Sequence, residues 1–144
     1  MPNPLVSDRN VDFLLYEVFD AESLCRLNAY AEHSRETFDL LLANSRKFAR
    51  EVLFPTYKPM DEAPPHMVDG GLRAHPVMRE LLPKLAAQGM TAATRPYESG
   101  GQQLPHVVAT LCAFYGMAAN LSAVAYLGLT SGAAHLIEAF GSDA

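Results

Sequence analysis

Between Ser99 and Ile137 the chain carries no Asp, Glu, Lys or Arg. In water a stretch of that length has to be covered by something, and this requirement constrains the fold more than any other feature. Three kinds of cover compete. A bilayer needs about 20 apolar residues, which the length allows. Gly116, Asn120, Ser122, Thr130, Ser131, Gly132 and His135 dilute the run, however, and no Lys or Arg flanks either end closely as an anchor. The second cover is the core of the protein itself. A helix that is apolar all round needs cover on every side, and a few other short helices offer one face each. The third is therefore a surface outside this chain. Exposed in isolation, such a patch is an association site. The small residues Ala118, Ala119, Ser122, Ala123, Gly128, Ser131, Gly132, Ala133 and Ala134 let a second backbone or a ligand approach closely, and serve tight helix packing equally well.

Charge lies elsewhere. Residues 1–62 hold 11 acids and 7 bases, and residues 63–144 hold 5 acids and 4 bases. The first part reads as a solvated surface and the second as an interior. A 144-residue chain with 49% hydrophobic residues is sized for one domain with a single core. No basic patch with interleaved aromatics occurs, which argues against nucleic-acid binding. Cys25 and Cys112 stand far apart without CxxC partners, so two free thiols in a reducing compartment are expected. The opening MPNPLVSDRNVDF is neither a signal nor a transit peptide, and a cytoplasmic location is expected.

Apolar residues recur at helical spacing almost throughout, predicting an all-α bundle of five to seven helices. Val11, Leu14, Leu15, Val18 and Phe19 mark a short helix over residues 7–19. Asp20 is placed to cap a second over 21–31, with Leu24, Leu27 and Tyr30 on one side. The strongest pattern runs over 35–54. Ser34 caps it, a stripe from Phe38 through Leu42 and Ala49 to Leu53 faces inward, and Pro55 is expected to end it. Residues 55–74, rich in Pro and Gly, read as a loop. Pro76 opens a helix lined by Val77, Leu81, Leu82 and Leu85, with Pro83 inside it and Gly89 as its C-terminal cap. Pro105 starts a helix to Ala119, Asn120 interrupts it, and a last helix runs from Leu121 to Phe140 before Gly141.

Independent chemistry is sparse. No two of the five histidines, His33, His66, His75, His106 and His135, pair at helical ligand spacing, so no metal site is expected. His106 and His135 are expected in the core. Gly70-Gly71 and Gly100-Gly101 extend to no phosphate-binding motif. No catalytic residue is assigned.

The order of Phe48-Ala49-Arg50-Glu51-Val52-Leu53 before Pro55, then Gly89-Met90-Thr91, Pro96, Glu98-Ser99-Gly100-Gly101, Leu104-Pro105, Ala119-Asn120-Leu121-Ser122 and Gly141-Ser142-Asp143 resembles the N-terminal helical domain of the acyl-CoA dehydrogenases. The opening Asp8-Arg9-Asn10-Val11-Asp12-Phe13 is similar to that of the family's long subgroup, typified by methylmercaptopropionyl-CoA dehydrogenase. The resemblance implies an extension over 1–34 and a family-like domain over 35–144. It implies an oxidoreductase of fatty-acid metabolism in which a glutamate takes the α-proton of an acyl-CoA while a β-hydride passes to FAD, and an electron-transferring flavoprotein removes the electrons. The flavin contacts and the base would lie in the family's middle and C-terminal domains, so this chain is expected to be a fragment, inactive alone, of a homo-oligomeric enzyme. Its cofactor-binding residues are left unassigned. The resemblance implies that the domain forms one wall of the acyl pocket, through Tyr126, Leu129, Thr130 and Ala133; as side chains, these four fit an ordinary core equally well. The other expectation is a stand-alone, non-enzymatic protein whose uncharged helical pair docks on itself or on a partner.

Overall fold

The computed structural model describes residues 5–142. Helix α1 (Asp8–Asp12) is capped by Ser7, whose side chain accepts from the Asn10 N–H, and it widens into a π-helical turn over Phe13–Val18. Asp20 then takes a left-handed conformation without a side-chain cap bond, and Ala21–Arg26 and Asn28–Tyr30 wind as 3-10 turns. The expected capped helix over 21–31 is thus not formed. It is instead the Asp20 carbonyl that accepts, from the N–H and hydroxyl of Ser23.

Helix α2 (Arg35–Phe48) has the expected Ser34 cap, with the hydroxyl accepting from the Thr37 N–H at 3.3 Å. It does not stop at Pro55. A π-turn over Ala49–Leu53 passes the chain into α3 (Phe54–Glu62), with Pro55 in the first turn of α3, where a missing N–H costs least. The widened turn shifts the hydrogen-bond register, so that the Phe54 N–H reaches back to the Ala49 carbonyl. The expected loop over 55–74 therefore holds a helix and a small antiparallel hairpin, β1 (His66–Val68) and β2 (Gly71–Arg73). Asp69 and Gly70 make its turn with positive φ.

Helix α4 (Met78–Ala87) carries Pro83 in its interior without ending there, and left-handed Gly89 follows it. The long α5 (His106–Phe140) is helical on both sides of Asn120, whose φ of -162° and ψ of 85° are not. The break falls where the sequence puts it. The core lies between α2, its π-turn, α4 and the first half of α5, with Phe38, Leu53, Leu81, Leu104 and Val108 fully covered. The architecture is all-α apart from the one hairpin.

Residues ahead of α2 join the same core through Val11, Leu15 and Ala21. They also neutralise the polar face of α2. Asp8 bridges Arg46 and Arg50, each at 3.0 Å, and accepts from the Tyr115 hydroxyl. Tyr16 donates to Asp39 at 2.6 Å beneath the guanidinium of Arg35. Part of what reads as a freely solvated face on α2 is a half-exposed polar seam with the segment ahead of it.

Candidate functional site

Asn120 supplies the hinge of the site. Its Oδ1 accepts from the Ala123 N–H at 3.0 Å, capping the second half of α5, while Nδ2 donates to Thr56 Oγ1 and reaches Met60 Sδ. The angle is sharp. Along a straight helix Gly116 and Val124 would lie roughly 12 Å apart, yet a Cβ placed on Gly116 would stand 3.3 Å from Val124 Cγ2.

The second half then runs back over the segment that leads into α5. Ser131 donates to the Thr91 carbonyl at 2.8 Å, and His135 lies 3.5 Å from Thr94 Oγ1. Glu138 accepts from Ser99 Oγ at 2.6 Å and pairs with Arg95, whose side chain is buried. Ser131, His135 and Glu138 are spaced four and three residues apart, which places them on one face of the helix. This face is the polar one, and it points into the protein.

The outward face is the apolar one. Tyr126, Leu129, Thr130 and Ala133 follow the i, i+3, i+4, i+7 rule and lie together there, all exposed. Leu136, Ile137 and Phe140 extend the stripe, with Leu129 80% and Phe140 82% exposed. Thr130 donates back to the Tyr126 carbonyl within the helix. The four residues are thus brought together, and the core is not where they sit. By length and composition α5 could cross a membrane. Its first half, however, sits in the core.

Behind the second half lies a cleft of about 140 Å³, walled mainly by Phe48, Leu53, Leu85, Met117, Leu127 and Gly128. It shares Ser45, Phe48, Gln88 and Met90 with an open trough of about 390 Å³ edged by Asn44, Lys47 and Glu51. None of the four outward residues lines either space. Sequence reasoning does not reach the cleft, because its walls come from α2, α4 and both arms of the bent α5. Gly116 and Gly128 are the one signal in the sequence that points toward it.

Acid–base and nucleophilic chemistry is weakly provided. Burial pushes the Cys112 thiol up, against a hydrogen bond from Ser45, and Cys25 is raised by burial and by Glu22. Both thiols are free and disfavoured as thiolates. His106 and His135 are exposed rather than buried: His106 opens α5 at its first turn, and His135 lies on the polar face at its contact with Thr94. Among the described residues no cluster of His, Cys, Asp or Glu could hold a metal ion.

The family model described as acyl-CoA dehydrogenase, N-terminal domain, matches residues 35–144. No curated protein matches the chain. The chain belongs to the acyl-CoA dehydrogenase family through that domain.

Proposed function

We propose that this domain is the helical part of an FAD-dependent acyl-CoA dehydrogenase and lends one wall to the acyl-CoA pocket in α,β-dehydrogenation. The observation that carries the reading is the orientation of the last half of α5. Its polar side chains bind inward to Thr91, Arg95 and Ser99, while Tyr126, Leu129, Thr130 and Ala133 face out with no charge among them. Exposing Leu129 and Phe140 is unfavourable by roughly 2 kcal/mol each unless another surface covers them. A neighbouring domain, with an acyl chain held between, supplies such a cover.

The described residues do not themselves fit a flavin. The open spaces include mixed troughs of about 390 and 340 Å³ and an apolar cleft, and of the left-handed glycines Gly70 closes a hairpin turn while Gly89 and Gly100 flank three-residue 3-10 turns too short to hold a phosphate. In this reading FAD and the catalytic glutamate reside in middle and C-terminal dehydrogenase domains, and this chain contributes shape and exclusion of water. The complete enzyme is read as a cytoplasmic homo-oligomer of fatty-acid metabolism, of the long subgroup, serving an electron-transferring flavoprotein.

The purified chain mixed with separately produced middle and C-terminal domains, FAD and a panel of acyl-CoAs tests this. Bleaching of the flavin only when all parts are present supports it. Tight assembly without bleaching favours instead a non-enzymatic docking protein using the same face.

A further inference from the structure

We infer that the second arm of α5, residues 121–140, is a hinged lid over the cleft at the bend, latched at its far end by Arg95 and Glu138, and that its opening uncovers the Cys112 thiol. The lid is a property of the chain itself and stands apart from the dehydrogenase reading. Its hinge is Asn120, where the φ and ψ of α5 leave the helical region. Ala123 is the last buried residue of the arm, and from Val124 to Phe140 only Val124, Leu127, Ser131 and Ala134 are even half-covered. An element with so few buried apolar contacts opens at a fraction of the free energy of global unfolding. Its hold comes instead from polar links near the far end. Ser131 donates to the Thr91 carbonyl, His135 lies beside Thr94, and Glu138 binds Ser99 and Arg95.

Glu138 is the sole Asp, Glu, Lys or Arg of α5, and Arg95 is the last Lys or Arg of the chain. An acid in the last turn of a helix meets the negative end of its dipole, so Glu138 is stabilised there by Arg95 and Ser99 and not by its own helix. The latch is also incomplete. Arg95 is buried, yet its Nη2 has no partner among the described residues, and a buried donor left unpaired offsets part of what closing gains. A closed state balanced in this way has an open state within reach. Behind the arm, Val124, Leu127 and Gly128 share the walls of the cleft with Cys112, Gly116 and Met117 of the first arm. Cys112 is only 3% exposed, so a reagent reaches its sulfur when the second arm swings away.

The test follows the labelling of Cys112 by an aromatic disulfide reagent in the full chain carrying Cys25→Ser, which leaves one thiol. Amide exchange at the buried Phe38 and Leu42 of α2 reports global unfolding in the same samples. Protection of Cys112, relative to a free thiol, should be smaller than that of those amides by about a hundredfold or more, because the arm lifts while the bundle stays folded. Glu138→Gln should speed labelling about thirtyfold and Ser131→Ala about fivefold, with exchange in α2 unchanged. Arg95→Met with Glu138→Leu leaves no charge alone and should bring the rate back toward that of the parent. Ser131→Ala carries the test by itself if Glu138→Gln fails to fold. Labelling as slow as exchange in α2, in parent and variants alike, would mean that only global unfolding reaches the thiol, and overturns the lid. Rapid labelling that none of these substitutions changes also overturns it, since the reagent would then enter with the arm in place. None of these readouts depends on flavin or acyl-CoA.

Discussion

Asn120 donates from Nδ2 to Oγ1 of Thr56 at 3.0 Å, tying the bend in α5 to the first turn of α3. The same carboxamide caps the helix that follows. Asn120→Ala removes a cap worth about 1 kcal/mol and the bond to the half-buried Thr56 hydroxyl, which keeps its own bond to the Leu53 carbonyl. The expected loss is about 2–3 kcal/mol of unfolding free energy, measured with urea. Thr56→Val should cost about 1 kcal/mol. The double variant should lose less than the sum, because the two residues share one bond.

Arg95 and Glu138 hold the far end of the same arm. Arg95 Nη1 pairs with Glu138, while Nη2 has no protein partner among the described residues. Breaking a dry ion pair costs about 3–5 kcal/mol. Because the Glu138 side chain is 35% exposed, Glu138→Gln should cost about 2 kcal/mol. Amide exchange should then accelerate over 121–140 and stay unchanged in α2. Replacing both partners by apolar residues (Arg95→Met with Glu138→Leu) should recover much of the protection, since no buried charge is left alone.

The sequence makes some of this arrangement readable and hides the rest for physical reasons. Ser34, Gly89 and Asn120 act through their own backbone neighbours, and each stands where local chemistry puts it. Pro55 misleads because a π-turn upstream reset the register, a choice made by packing around Ala49 and Leu53. Asp20 misleads because its left-handed backbone keeps its side chain from capping. The four outward residues share a face by spacing alone. That this face is exposed depends on Ser131 and Glu138 finding partners forty residues away, which no local pattern encodes. The cleft depends on the angle at Asn120, and only Gly116 and Gly128 point toward it in the sequence.

Asp8 gives a pH signature. Burial raises its carboxyl, but the Arg50 hydrogen bond, the charges of Arg46 and Arg50 and the Tyr115 hydroxyl outweigh this and hold it below its ordinary 3.8. A depressed carboxyl contributes stability that is present above the unfolded value and is lost as pH falls through the folded one. Unfolding free energy should therefore drop below about pH 4, and Asp8→Asn should flatten that acid limb. At the alkaline end the sign reverses. Burial, then Asp8, push Tyr115 up to about 12, so its contribution is present below pH 10 and fades as pH rises through the folded value. Burial and Asp39 raise Tyr16 as well. In a spectrophotometric titration of the six tyrosines, these two should ionise last, with Tyr115 moving down in Asp8→Asn.

The outward face separates folding from docking. Leu129 and Phe140 are among the most exposed apolar residues of the chain, so replacing them removes little that the isolated fold depends on. Leu129→Glu with Phe140→Lys should leave the unfolding free energy within about 0.5 kcal/mol. Burying each side chain is worth about 2 kcal/mol, so affinity for any surface that covers both should fall by roughly a thousandfold. Sedimentation of the chain alone reports self-association, and titration against the flavin-carrying domains reports assembly. A wild-type chain that associates and a variant that stays monomeric would mark this stripe as the docking surface. Unchanged assembly in the variant would move the interface elsewhere on the bundle and leave the outward leucines without a role.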